Sequence, residues 1–180
     1  MSEPILLSLS GSLRQNATNR KLLREAARLF EPGTHIEADL NLPLYDGDLE
    51  EGEGIPKGVQ VLAGQIARAD AVIISTPEYN KAPSGVLKNA LDWVSRTKDK
   101  PWANKPVAVM SAAAGRAGGE RAQMILRSYM VPFQTRILQG PEIHLADSSN
   151  EFDAQGKLVN ERYENALRTL MRNLRSEAGF

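Results

Sequence analysis

The 180-residue chain contains no cysteine, which excludes disulfides, thiolate metal sites and a cysteine nucleophile. It also lacks net charge. Lys+Arg and Asp+Glu balance at 22 each, so no overall field draws a nucleic-acid duplex or an anionic bilayer, and neither is expected as a partner. No apolar run approaches the ~20 residues of a membrane span. The opening MSEPILLSLSGS has neither the basic start nor the small-residue cleavage site of a signal peptide, so an unprocessed, soluble, cytoplasmic protein is expected. Histidine is scarce too: His35 and His144 stand apart from acidic partners at ligand spacing, and no metal site is expected. The phosphate loop G-x-x-x-x-G-K-[ST] and the dinucleotide pattern G-x-G-x-x-G are both missing, which disfavours a nucleoside triphosphate or a dinucleotide held on a glycine loop.

What the chain does have is a regular alternation of short apolar runs and amphipathic stretches. Its length suits one domain, residues 1–180, burying about 70% of the surface that the unfolded chain exposes. Residues 4–10 are nearly all apolar, the pattern of a strand covered on both faces. Leu22, Leu23, Ala26, Ala27 and Phe30 then recur at helical spacing until Pro32 and Gly33 stop them. Residues 35–40 read as a second strand, followed by LNLPLYDGDLEEGEGIP, a Pro, Gly and acid-rich loop too long for a minimal connection. A helix from Val59 leads into a third strand at 71–75, and residues 85–94 resume helical spacing. KPVAVMSAAAG is a fourth strand entering a Gly-rich turn, with a helix at 120–130 behind it. Residues 136–138 and 142–145 both contend for the fifth strand, split by Gly140 and Pro141, and a last helix covers about 159–175.

Strands alternating with helices imply an α/β fold, specifically a flavodoxin-like, doubly wound, five-stranded parallel sheet of order 2-1-3-4-5 with helices on both faces. Ligands of such sheets bind beyond the carboxyl ends of the strands, at the switch point between the first and third. Chemistry is therefore expected at 10–19, 76–85 and 111–119.

The first of these segments is unusual. LSGSLRQNATNRKLL turns a greasy strand into a helix through hydroxyls, amides and a guanidinium. A helix starting near Thr18 or Asn19 presents unpaired N–H groups and the positive end of its dipole. Thr18 could cap it, but three residues on stands Lys21, where a capping box has Glu or Gln. Arg14, Arg20 and Lys21 put positive charge where the dipole disfavours it by about 0.3–1 kcal/mol each. An anion would resolve that conflict. Ser10, Ser12, Thr18 and Asn19 add neutral donors suited to a phosphate monoester, and Gly11 lets the backbone turn closely. A capped helix with solvated arginines accounts for this corner about equally well on its own. In the second segment, STPEYNKAPSGVLKNALDW, Pro77 ends strand pairing and turns the next residues onto the ligand edge. Tyr79 offers a flat face and Asn80 a donor and an acceptor, which suit a planar heterocycle with imide edges.

In combination, SGSLRxxxTN, TPEYN with GVLKNALDW, and KPVAVMSAAAGRAGGERAQ resemble the NAD(P)H-dependent FMN reductase family, in particular its bacterial quinone, chromate and azo-compound reductases. The resemblance runs from about residue 5 to about 170 and takes in LPLYDGD at 42–48. It implies FMN as cofactor, with the phosphate held by Ser10, Ser12, Arg14, Thr18 and Asn19. Pro77, Glu78, Tyr79 and Asn80 would line the isoalloxazine, and the turn carrying Ser111 and Gly115 would approach its pyrimidine edge. It further implies NAD(P)H as co-substrate, with ping-pong hydride transfer through the flavin to a quinone, an azo compound, chromate or free flavin, and no catalytic base on the protein. A homodimer or homotetramer is implied as well, with residues 45–54 and the helix carrying Leu87, Leu91, Trp93 and Val94 as the places to look for its contacts. Arg116 is a candidate for reading the 2′-phosphate of NADPH. The chain departs from the family pattern at Ala82-Pro83-Ser84-Gly85, where the proline is shifted by one, and at Ala112 and Ala113, where hydroxyls are frequent. Two readings compete: a flavin-free binding module whose corner captures another phosphorylated ligand, and a flavodoxin-type FMN electron carrier without NAD(P)H turnover. The strong acidity and T-x-T-G-x-T loop usual in such carriers are absent.

Overall fold

The computed structural model describes residues 3–180. Its sheet is built on three central strands, β1 (Ile5–Ser10), β3 (Ala71–Thr76) and β4 (Pro106–Ala112), in which every residue but Ile5 is buried. Burial on both faces is why these segments read as continuous apolar runs without alternation. β2 (Thr34–Glu37) pairs with β1, and the parallel order is β2-β1-β3-β4-β5.

Both contenders for the fifth strand belong to it. β5 (Arg136–Ile137) pairs with Pro106 and Val107 of β4, while β6 (Ile143–Leu145) pairs with Met110, Ser111 and Ala112. β3 occupies the other edge of β4, so β5 and β6 are two halves of one strand position, interrupted around Gly140 and Pro141. A proline lacks the N–H that a continuous ladder needs there.

Helices cover both faces. α1 (Thr18–Phe30) and α6 (Glu161–Glu177) pack Leu22, Leu23, Phe30, Leu167, Leu170 and Leu174 on one side, against Leu6, Ile73, Ala108 and Met110. On the other side α3 (Lys57–Arg68), α4 (Gly85–Ser95) and α5 (Glu120–Met130) bury Leu62, Ile66, Leu87, Leu91 and Leu126 against Leu7, Leu9, Val72, Ile74, Val107 and Val109. The alternation of Leu6 with Leu7, and of Ala108 with Val107 and Val109, is the period-two pleat distributing side chains between two cores.

Two sequence expectations are corrected. The second strand stops at Glu37 instead of reaching 40, although Ala38 N–H still bonds to Ser8 O at 2.9 Å. The segment read as a long loop contains a helix, α2 (Gly47–Glu53), whose N-cap Asp46 accepts from Asp48 N–H at 2.9 Å. None of its residues is buried, so no apolar periodicity advertised it. Polar ties to α4 hold the segment instead. Tyr45 N–H donates to Asn89 Oδ1, Trp93 Nε1 and Asn89 Nδ2 both donate to Pro43 O, and Arg96 pairs with Glu50 at 2.9 Å. No helix among the described residues is long and apolar enough to cross a membrane.

Candidate functional site

The carboxyl ends of β1, β3 and β4 open into a cleft of about 670 Å³. Its position is the switch point, where the chain leaves β1 toward one side of the sheet and β3 toward the other.

The two corners at the switch point are riveted together. Gly11 N–H donates to Ser75 O at 2.8 Å, and Ser84 Oγ donates to Gly11 O at 2.5 Å while accepting from Leu87 N–H as the N-cap of α4. A Cβ on Gly11 would stand 3.0 Å from Pro77 Cδ, 3.0 Å from Ser84 Oγ and 3.2 Å from Thr76 Cα, so only glycine permits this approach without displacement. The departure at Ala82-Pro83-Ser84-Gly85 thus supplies a cap and a rivet at once.

Along the first wall, Ser10 Oγ is turned into the corner, bonded to the N–H and carbonyl of Ser12, and does not line the cleft. Ser12, Arg14, Thr18 and Asn19 do line it. The N-cap of α1 is Ala17, which has no side-chain cap, so Thr18 is the first helical residue and not the cap. Its hydroxyl pairs with Ser148 Oγ at 3.0 Å. Asn19 is 3% exposed and its amide makes three hydrogen bonds within the fold. Nδ2 donates to Ala112 O at 2.9 Å, and Oδ1 accepts from Ala112 N–H at 3.0 Å and from Ser75 Oγ at 2.7 Å. The side chain ties α1 to the ends of β3 and β4, so what it leaves for a ligand is its backbone N–H and the second Nδ2 hydrogen.

Among the described residues, the N–H groups of Thr18 and Asn19 have no acceptor, as the first turn of an uncapped helix requires. Arg14 and Lys21 border the same space without a carboxylate partner among the described residues, and Lys21 Nζ lies 5.6 Å from the centroid of the Phe152 ring. Arg20 differs: it donates to Ser12 O and lies 3.8 Å from Glu37, whose carboxyl the Arg24 guanidinium, hydrogen-bonded to it, holds below its usual range. One of the three misplaced cations is therefore partly accounted for inside the fold, and two are not.

The second wall is a two-residue hairpin. Tyr79 and Ala82 exchange backbone hydrogen bonds at 3.0 and 3.1 Å across Asn80 and Lys81, whose φ values of 51° and 67° are both left-handed. Pro77, Glu78 and Tyr79 line the cleft, with Tyr79 54% exposed, while Asn80 sits at the hairpin tip and does not. Glu78 Oε2 accepts from Ala122 N–H at 3.1 Å. It supplies, from a neighbouring loop, the capping carboxylate that Gly119 cannot give α5.

The third wall is residues 112–115 and 117–119, including Gly115 but not Arg116. Ser111 is fully buried beneath it and does not line the cleft: its Oγ donates to Gly118 O at 2.6 Å and accepts from Gln123 Nε2 at 3.0 Å. Gly118 and Gly119 have φ of 59° and 88°, and a Cβ on Gly118 would come within 2.3 Å of His144 O. The turn therefore lies flat on β6 and offers its backbone to the cleft. Ser148 and Ser149 complete the rim. The sequence reading missed them, although ADSSN directly follows a strand on the carboxyl edge where ligands collect.

The matching family model is described as NADPH-dependent FMN reductase and covers residues 4–149. The chain belongs to this family. It is 44% identical over 165 residues to an NAD(P)H-dependent FMN reductase of Pseudomonas aeruginosa, covering 90% of this chain and 89% of that one. A quinone reductase of Escherichia coli is 37% identical over 166 residues, covering 89% and 88%. Among solved structures, the flavoenzyme NAD(P)H:(acceptor) oxidoreductase FerB of Paracoccus denitrificans superposes with a TM-score of 0.87 at 28% identity, covering 97% of each chain. The protein is an oxidoreductase of flavodoxin-like fold that uses FMN and NAD(P)H.

The cleft suits that cofactor on its own chemistry. A phosphate monoester needs donors and positive charge, and the open first turn of α1 with Arg14 and Lys21 offers both without a metal. A flat, partly apolar ring system needs walls more than ligands, which Pro77, Tyr79 and the alanine-rich 112–117 backbone provide.

Proposed function

We propose that the protein is an NAD(P)H:quinone oxidoreductase whose FMN phosphate is held by the N–H groups of Thr18 and Asn19, the Ser12 and Thr18 hydroxyls, Arg14 and Lys21. Ser10 and Ser111 act one step back, by shaping the loops that carry these donors. Pro77, Glu78 and Tyr79 on one side, and residues 112–115 and 117–119 on the other, flank the ring. The observation that carries this reading is a single continuous cleft running from an uncapped helix N-terminus to a backbone-lined turn.

When bound, FMN would supply the hydride and electron-transfer chemistry, and a single binding face left open to both substrates would make them alternate. The chain's own residues bind, orient and leave that face open. Tyr79, half exposed at the rim, is placed to pack against whichever planar substrate enters. No side chain is assigned as acid or base. Quinones are the favoured acceptors because a relative of high coverage bears that name; azo compounds, chromate and free flavin are further candidates for the same open face. The reading includes a single domain spanning the chain, a cytoplasmic location where NAD(P)H is supplied, and a homodimer or homotetramer. Support for self-association comes from Leu44, 80% exposed on a segment otherwise pinned to α4, and from Tyr45 beside it.

Purification tests the whole scheme. A yellow protein, or an apoprotein that binds FMN, should oxidise NADPH or NADH when a quinone is added, with parallel double-reciprocal lines. Retention of FMN without nucleotide oxidation would identify an electron carrier instead. Failure to bind FMN would remove the proposal altogether.

A further inference from the structure

Beneath the turn that forms the third wall runs a chain of hydrogen bonds that begins on α5. Gln123 is 1% exposed and Ser111 is fully buried, yet both carry polar side chains. Gln123 Nε2 donates to Ile143 O at 2.6 Å and to Ser111 Oγ at 3.0 Å, and Ser111 Oγ donates to Gly118 O at 2.6 Å. Backbone carbonyls fix the direction of this chain at both ends, because they only accept. Ile143 O requires the amide nitrogen of Gln123, and Gly118 O takes the one hydroxyl hydrogen of Ser111, so Ser111 Oγ must accept from Gln123. Gln123 Oε1 has no donor among the described residues, so the fold uses this side chain for its two N–H groups.

The consequence falls on one peptide group. A trans peptide directs its C=O and its N–H to opposite sides. With Gly118 O drawn down to Ser111, the N–H of Gly119 points away from Ser111, and Gly118 and Gly119 both border the cleft. Gly119 is buried, and its N–H has no acceptor among the described residues, whereas Gly118 N–H donates to Gly115 O at 3.1 Å. An unpaired N–H on a buried residue is uncommon and calls for an acceptor in the cleft. Gly119 is also the N-cap of α5, where the helix dipole adds positive potential. The packing leaves no slack, since a Cβ on Gly119 would stand 2.8 Å from Ser111 Cβ.

We infer that Gln123 is a positioning residue for the flavin: through Ser111 it holds the Gly118-Gly119 peptide so that Gly119 N–H donates to bound FMN, and it thereby favours the reduced cofactor. The inference rests on the FMN reading above. Reduction adds negative charge at the pyrimidine end of the flavin ring, the end that this turn is expected to approach. A donor at the positive end of a helix holds a charged acceptor more strongly than a neutral one. Gln123 itself touches no ligand, because it does not border the cleft.

The test measures the affinity of oxidised FMN and the two-electron potential of the bound flavin, anaerobically and without substrates, in the parent, Gln123→Met, Ser111→Ala and the double variant. Methionine keeps the length of glutamine and removes both donors. Gln123→Met should raise the ratio of the reduced to the oxidised dissociation constant about tenfold, which is a fall of about 30 mV in the potential of the bound flavin. Ser111→Ala should do the same, and adding Gln123→Met to it should change the ratio no further. In ¹⁵N-labelled parent protein, the Gly119 N–H signal should move downfield when FMN binds and further downfield on reduction. An unchanged ratio in Gln123→Met, effects that add in the double variant, or a Gly119 signal indifferent to FMN would each overturn the inference while FMN still binds. A parent apoprotein that fails to bind FMN would overturn both this inference and the reading beneath it. Because the Gly119 titration is made on unaltered protein, it decides the matter even if a variant fails to fold.

Discussion

Asn19→Ala separates the two roles an asparagine at this corner can have. In the structure the amide makes three hydrogen bonds, to Ala112 O, Ala112 N–H and Ser75 Oγ, and both partner residues are 2% exposed or less. Each bond is worth about 1 kcal/mol net, and the buried groups left behind cost more when water cannot reach them. The expected loss is therefore about 3–4 kcal/mol, a large part of the ~5–15 kcal/mol that holds a domain together. With a urea dependence of about 2 kcal/mol per molar, the midpoint of the apoprotein should fall by roughly 1.5–2 M. The same titration with excess FMN decides the role. Alanine keeps the backbone N–H, so if the amide only ties the strands, FMN should raise the variant's midpoint by the same increment as it raises the parent's. A midpoint drop under about 0.5 M would refute the energetic argument. A vanished FMN increment would return the amide to the ligand.

Three further outcomes follow from the same geometry. Arg14→Ala should weaken FMN binding about tenfold, with a shallower salt dependence, yet leave riboflavin, which has no phosphate, unaffected in fluorescence-quenching titrations. Gly11→Ala should cost about 1–3 kcal/mol in denaturant melts, because its Cβ meets Pro77, Ser84 and Thr76 at 3.0–3.2 Å; an unchanged midpoint would show that the two corners yield without strain. Glu78→Ala should lose about 1 kcal/mol by removing the cap on Ala122 N–H, whereas Glu78→Gln, which still presents an acceptor, should recover most of it.

How far the site was legible in the sequence depends on what each residue's chemistry can distinguish. The strands and their order were readable because burial on both faces leaves unbroken apolar runs such as AVIIS, and the cleft's location follows from topology alone. α2 was not readable: it buries nothing, and only Asp46 before a glycine and acids signalled a helix start. The polar residues of the first corner stood out as a group, but composition could not divide them. A serine or asparagine that holds a loop and one that holds a phosphate present the same donors, and only coordinates show that Ser10 bonds to Ser12 and that Asn19 spends its amide on Ala112 and Ser75. Cations divide more cleanly, since Arg20 finds Glu37 within the fold while Arg14 and Lys21 find no carboxylate among the described residues. Unpaired charge at a helix N-terminus is thus a better pointer to the proposed anion site than the hydroxyl-rich sequence around it. The donors most directly available to that anion are backbone N–H groups, which every sequence possesses and none displays.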